Sequence, residues 1–302
     1  MTAALRRVPR AAVTQARSYR ILVPGVLVAL ALLTGLVLVV AGGILLGAVP
    51  VQAGRGGAAL PAEGLSLVSL AVIGVFAYTV FHRYAQRGGE HLLLWGIGLV
   101  MFGIVGAAEL VSTFGWSPTA FRLWYLCGAM YTAAWLGQGT VYLLSRRKRL
   151  AVGTLLMLLA ASLAAAYLVF AEPLNAGAYD PRMPLGVQYR AILPSGAAVR
   201  KLTPVFNIYG TFTLIGGALY SSWLLWRKEI VPGRVIGNLL IAAGGLSLAL
   251  VSTLARLGSG GLLPFAELVA AGLMFAGFLL ATGRPVSKIG RASCRERVSF
   301  LV

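Results

Sequence analysis

The chain has 302 residues, of which 59% are hydrophobic and 11% charged, with a mean hydropathy of +0.85 and a formal net charge of +18. That composition lies outside the range of soluble globular chains and marks an integral membrane protein. Two cysteines, Cys127 and Cys294, exclude a disulfide framework and a CxxC metal site. The basic excess has to be read from where it falls, because nucleic-acid binding and membrane topology both use it.

A basic N-terminus, 1–20, carries Arg6, Arg7, Arg10, Arg17 and Arg20 ahead of a first apolar run, 21–49. Followed by VPVQAG, this run also resembles a signal peptide with cleavage near Ala53. It is much longer than the hydrophobic segment of about 7–15 residues such a signal uses, so an uncleaved anchor is expected. Cleavage would leave seven spans with the N-terminus outside. A second and shorter run, 65–82, reaches His82, and His91 opens the third, 91–115. Neither histidine has a Cys, Asp or further His at metal-ligand spacing, and both read as interfacial residues, not metal or haem ligands.

The third run holds Glu109 within GAAELVSTFG, the one charge between Leu92 and Phe121. The fourth, 121–145, opens on Arg122 and carries Trp124, Gly128, Tyr131, Trp135, Gln138 and Tyr142 at alternating spacings of four and three. That spacing puts their indole, hydroxyl and amide groups on one helical face, which prefers protein partners to lipid. This face is either a ligand-lining wall containing Tyr131, Trp135 and Gln138, or aromatic packing in which Gly128, Gly137 and Gly139 admit a close neighbour. The block Arg146, Arg147, Lys148 and Arg149 precedes the fifth run, 150–171. After it comes the one long connection, 172–202, with EPLNAGAYDPRMPLG, which reads as an extramembrane loop without a core of its own.

The sixth, seventh and eighth runs cover 203–226, 234–257 and 261–283, with Arg256 at the end of the seventh and Glu267 in the FAELVAAG of the eighth. The GG pairs at 42–43, 216–217 and 244–245 read as packing sites. A short end, 284–288, leads to a tail, 289–302, whose IGRASCRERV resembles the translated read-through of a sequencing adapter. The tail is therefore set aside as artefactual.

The expected fold is thus all-α, a polytopic transmembrane bundle over 21–283 with eight spans, each near the ~20 residues that cross ~30 Å of hydrocarbon. Orientation follows from the cations. The N-terminal arginines, Arg83, Arg87, the 146–149 block, Arg227, Lys228, Arg234, Arg284 and Lys288 fall on one side of the bundle. Arg55, Arg122, Arg182, Arg190, Arg200, Lys201 and Arg256 fall on the other, most of them in or beside the long loop. Retention of positive charge on the cytoplasmic side then places both termini there, in a cell inner (plasma) membrane, with 172–202 extracytoplasmic. The basic block is a topology signal beside anionic lipid, and no nucleic-acid partner is expected.

At a rise of 1.5 Å per residue, Glu109 and Glu267 both lie roughly 9–10 Å below the outer boundary. Arg122 and Arg256 stand at that boundary with stems long enough to reach inward. A charge in hydrocarbon costs at least ~2.5 kcal/mol on insertion scales, so the glutamates should face the bundle interior. Either the four groups line an outward-opening site for a small molecule or an ion, or they form two interhelical pairs, Glu109 with Arg122 and Glu267 with Arg256.

No catalytic triad, P-loop, GxGxxG or GxSxG is present, and no cofactor is expected. Inverted repeats, common in transporters, do not extend beyond the shared AELV. The runs GEHLLLWGIGLVMFGIVGAAEL and FRLWYLCGAMYTAAWLGQGTVYLL resemble the seven-helix sensor modules of bacterial histidine kinases, with an acidic residue near the outer end of one helix, a short turn, and an aromatic-rich helix opening on Arg. The resemblance implies sensing of a small or membrane-associated ligand and a cytoplasmic signalling partner. A transporter and a structural or assembly subunit are the alternatives.

Overall fold

The computed structural model describes residues 62–181, 183–228, 232–256 and 263–283, without the side chains at 62–66, 232, 251–256 and 263–264. The first apolar run with its signal-peptide alternative, the Arg256 side chain, Arg55, Arg182, Cys294 and the tail all lie outside the described residues. Within them every regular element is helical.

Helix α1 (Ala62–Arg87) turns through Gly88 and Gly89 into α2 (Glu90–Phe114). The two glycines have φ of 66° and 105°, a region L side chains avoid, which is why a two-residue turn can reverse the chain here. Helix α3 spans 118–144 in three parts, with Pro118–Trp124 and Thr132–Leu144 α-helical and the wider-wound Tyr125–Tyr131 π-helical. The side chain of Ser117 accepts from the Ala120 N–H and Pro118 opens the first turn, so the start of α3 is capped as its sequence dictates. Helix α4 (Lys148–Ala171) is followed by a short helix α5 (Leu185–Ile192). Helix α6 (Ala198–Arg227) also contains a π-helical stretch, Thr211–Gly216, and α7 (Pro232–Arg256) and α8 (Leu263–Thr282) complete the order.

Six of these helices, α1, α2, α4, α6, α7 and α8, are long and apolar enough to cross a membrane. Outward-facing Val75, Leu163, Tyr167 and Phe212 are exposed to more than half of their surface, which suits a lipid boundary and not water. Helix α3 is as long as its neighbours but more polar. Its location explains the difference, since Thr132 and 134–140 are buried against other helices, so its side chains meet protein where those of α4 face outward.

The packing closes a ring. Helix α1 lies on α2, α2 on α3, α3 on α6, α6 on α7, α7 on α8, and α8 returns to α1, with α4 outside against α3 and α6. Small residues set the closest approaches. A Cβ on Gly237 of α7 would stand 2.5 Å from the Gly277 carbonyl oxygen of α8, and one on Gly210 of α6 would stand 2.6 Å from the backbone of Ala133 in α3. Of the glycines expected to admit neighbours, Gly137 and Gly139 lie against Thr213 and Trp95, and a Cβ on Gly128 would stand 3.2 Å from Val105. Gly244, Gly245 and Gly217 are packed likewise, whereas Gly216 faces open space.

The long connection has no separate core because it uses that of the bundle. Leu185, Ile192, Leu193 and Ala197 are buried in the same cluster as Phe121, Tyr125 and Phe206. Gln188 ties the segment together, accepting from the Asp180 N–H at 2.8 Å and donating to the carbonyls of Asp180 and Met183. Tyr179 donates to the Ser112 carbonyl at the end of α2; burial and the neighbouring Asp180 charge push its phenol up, which keeps the donor protonated.

Candidate functional site

Five of the six ring helices, all but α1, line a cavity of about 550 Å³. Both π-helical stretches border it, through Gly128 and Ala129 in α3 and through Thr211 and Leu214 in α6. A π turn carries an extra residue per turn and displaces the helix face, and such turns recur at functional sites. Here the displacement leaves room between α3 and α6, and Thr132 takes up one carbonyl of the widened turn, that of Cys127, at 2.9 Å. Pro204, which lacks an N–H and also lines the cavity, interrupts the α6 ladder just above.

The wall is mostly apolar and aromatic. Its polar groups are few: Thr132, Thr203, Asn207, Thr211 and Glu267, with Arg190 and Arg200 where α5 covers the loop-side end. Thr203 bonds Tyr125 at 2.9 Å and Asn207 donates to the Ala129 carbonyl at 2.9 Å, so both are oriented by the framework. Arg200 donates to the carbonyls of Arg190 and Leu193, and its guanidinium and that of Arg190 lie 5.7 and 6.0 Å from the Tyr189 ring. The cap is therefore cationic and internally braced. The Trp124 indole N–H beside it is buried without a protein acceptor.

Glu109 and Glu267 are 8% and 6% exposed, and Glu267 forms part of the cavity wall. Glu109 lies within electrostatic range of Glu267 but is not among the residues that line the cavity. Glu109 faces the Leu185 N–H at the first turn of α5, while its Oε1 has no partner among the described residues. A carboxylate suits this position because the first turn of a helix presents unsatisfied N–H groups.

The proposed Glu109–Arg122 pair does not form. Arg122 instead donates to the carbonyls of Val169 at 3.2 Å and Glu172 at 3.0 Å, closing the C-terminal end of α4, and it does not line the cavity. Those carbonyls belong to a last helical turn that lacks intrahelical donors, so a guanidinium there is favoured by both hydrogen bonding and the helix dipole. The Glu267–Arg256 alternative involves a side chain outside the described residues.

The aromatic stripe of α3 divides between two faces. Trp124 and Gly128 reach the cavity, whereas Tyr131, Trp135 and Gln138 are not among its lining residues. Tyr131 donates to the Ser162 carbonyl of α4. Gln138, 0% exposed, donates to Ala151 at 2.9 Å and Thr154 at 3.1 Å and accepts from Tyr209. These groups join α3 to α4 and α6. Sequence reasoning missed Arg190 and Arg200 as cavity residues; the signal was the pair of cations around a Tyr in the loop, which only the docking of α5 turns towards the bundle.

Both histidines sit near the α1–α2 turn, His82 at 2.8 Å from Gln86 and His91 edge-on to Trp95. Among the described residues no group of three or more His, Cys, Asp or Glu could hold a metal ion. No family model, curated protein or solved structure matches the chain.

Proposed function

We propose that this chain is a sensor-type membrane receptor that takes a small, largely apolar ligand into the cavity of its helical ring. The observation that carries the reading is the cavity itself. It has the volume of a small-molecule site, with apolar walls and a few oriented polar groups, and α5 covers the end facing away from the basic loops. On this reading the chain crosses the inner membrane eight times, α3 and the apolar run 21–49 included, with both termini cytoplasmic and α5 on the extracytoplasmic side. The likeness of α2 and α3 to kinase-linked sensor modules supports the same assignment and implies a cytoplasmic signalling partner. The Glu267 carboxylate at the cavity wall favours a second reading, an ion-coupled transporter.

The test uses the full chain in nanodiscs with three probes of equal shape: 3-phenylpropan-1-ol, 3-phenylpropan-1-amine and 3-phenylpropionate. At least one should raise the melting temperature in proportion to its occupancy, and Ala129→Leu, which fills the cavity, should abolish the effect. No response to any probe would overturn the cavity reading. Accumulation of the bound probe inside sealed proteoliposomes would favour the transporter.

A further inference from the structure

We propose that the loop-side end of the cavity recognises an oxyanion, and that the ligand is a carboxylate carried on an apolar body. This rests on the cavity being a ligand site. Three donor side chains from three helices meet there around one ring. Arg190 and Tyr189 belong to α5, Arg200 to the first turn of α6 and Trp124 to α3, and all four line the cavity. The Trp124 and Tyr189 ring centroids are 6.3 Å apart, and the Arg200 and Arg190 guanidiniums lie 5.7 and 6.0 Å from the same Tyr189 ring. Groups gathered around a single ring are close enough to share one small head group.

Much of their donor capacity is unused. Trp124 is 7% exposed, and its indole N–H, which can only donate, is buried without an acceptor. Such orphaned donors are rare, because buried polar groups nearly always find a partner in a folded protein. Arg200 commits Nη2 to the carbonyls of Arg190 and Leu193, while its buried Nε has no partner. Arg190 commits Nε to the Tyr189 hydroxyl at 3.3 Å and keeps its terminal amino groups, the planar fork that suits a two-oxygen anion. Among the described residues the ion pair joins Lys148 to Glu90 at the opposite end of the bundle, so neither arginine of the cap has a carboxylate partner. Glu267, on the wall from α8, stands apart from both guanidiniums. An acid head group supplies the acceptors and the negative charge that this end lacks, and the apolar wall, with Phe102, Val105 and Leu248, receives its body.

The three probes decide the matter by comparison within one protein. The propionate should bind roughly tenfold tighter than the alcohol, a difference equivalent to ~1.4 kcal/mol, and the amine should bind most weakly. Arg190→Gln, and Trp124→Phe, which removes the N–H and keeps a ring, should each weaken the propionate more than the alcohol. If either variant does not fold, the other and the wild-type ranking decide. A fatty acid from the bilayer shares this chemistry, so oleate and oleyl alcohol added to the nanodisc lipid repeat the comparison for that source. A preference for the acid in the phenylpropyl pair alone assigns the ligand to the aqueous phase, and one in the oleyl pair alone assigns it to the bilayer; both bear out the oxyanion end. Tighter binding of the amine would show that Glu267 governs recognition, and equal binding of acid and alcohol in both pairs would show that the cap cations only brace α5. Either result overturns the oxyanion site while the cavity reading stands. Failure of every probe overturns the cavity reading itself.

Discussion

Glu109 and Arg122 illustrate how a buried charge selects its partner. Opposite charges at similar depth on consecutive helices invite pairing, yet each group has gone to the backbone at a helix end, Glu109 to the start of α5 and Arg122 to the end of α4. Their contributions should therefore be independent. In a double-mutant cycle on thermal unfolding, Glu109→Gln and Arg122→Gln should add to within about 0.5 kcal/mol, and a larger coupling would restore the salt bridge. Gln138 and Tyr209 should behave oppositely, because each satisfies the other between α3 and α6. Gln138→Leu should cost about 1–3 kcal/mol by leaving the Tyr209 hydroxyl buried without its acceptor. Adding Tyr209→Phe should recover part of that loss; strict additivity in the melting curves would contradict the assignment.

The elements show how much a helical pattern conveys. An apolar run near 20 residues is legible because hydrocarbon thickness sets its length, and the runs at 91–115, 121–145 and 150–171 correspond to α2, α3 and α4 within a few residues. The three-and-four spacing of Tyr131, Trp135 and Gln138 correctly marks a face that avoids lipid. It does not say which neighbour that face meets, and α4 outside the ring is the answer. Helix α5 escaped notice because eight residues among prolines and glycines carry too little periodicity. The π turns escaped because one extra residue does not change composition. They are nevertheless testable: deleting Ala129 should return Tyr125–Tyr131 to α-helical winding while the rest of α3 keeps its facing. Gln138 would stay against α4, so the melting temperature should fall little while probe binding, which uses the room opened between α3 and α6, is lost. Unchanged binding would show the π turn to be dispensable.

At the scale of the molecule, charge separates the two ends. Among the described residues Arg83, Arg87, Arg146, Arg147, Lys148 and Arg149 gather at one end of the ring, and α5 covers the other. A reporter fused after Arg149 should accordingly report the cytoplasm and one placed within 172–202 the exterior; the reverse pattern in an alkaline phosphatase and fluorescent-protein pair would invert every assignment of depth. The glycine contacts between α7 and α8 have a mechanical consequence. Gly237 meets Gly277 and Ala281 near one end, and Gly244 meets Ala270 and Met274 farther along, with backbone against backbone at both heights. Helices clamped at two points do not slide or roll past each other, so α7 and α8 behave as one stiff rod. On the proposed sensor reading, a ligand pressing on Leu248 or Met274 from within the ring would tilt that rod as a whole, so that a push at one end becomes a lever stroke at the other.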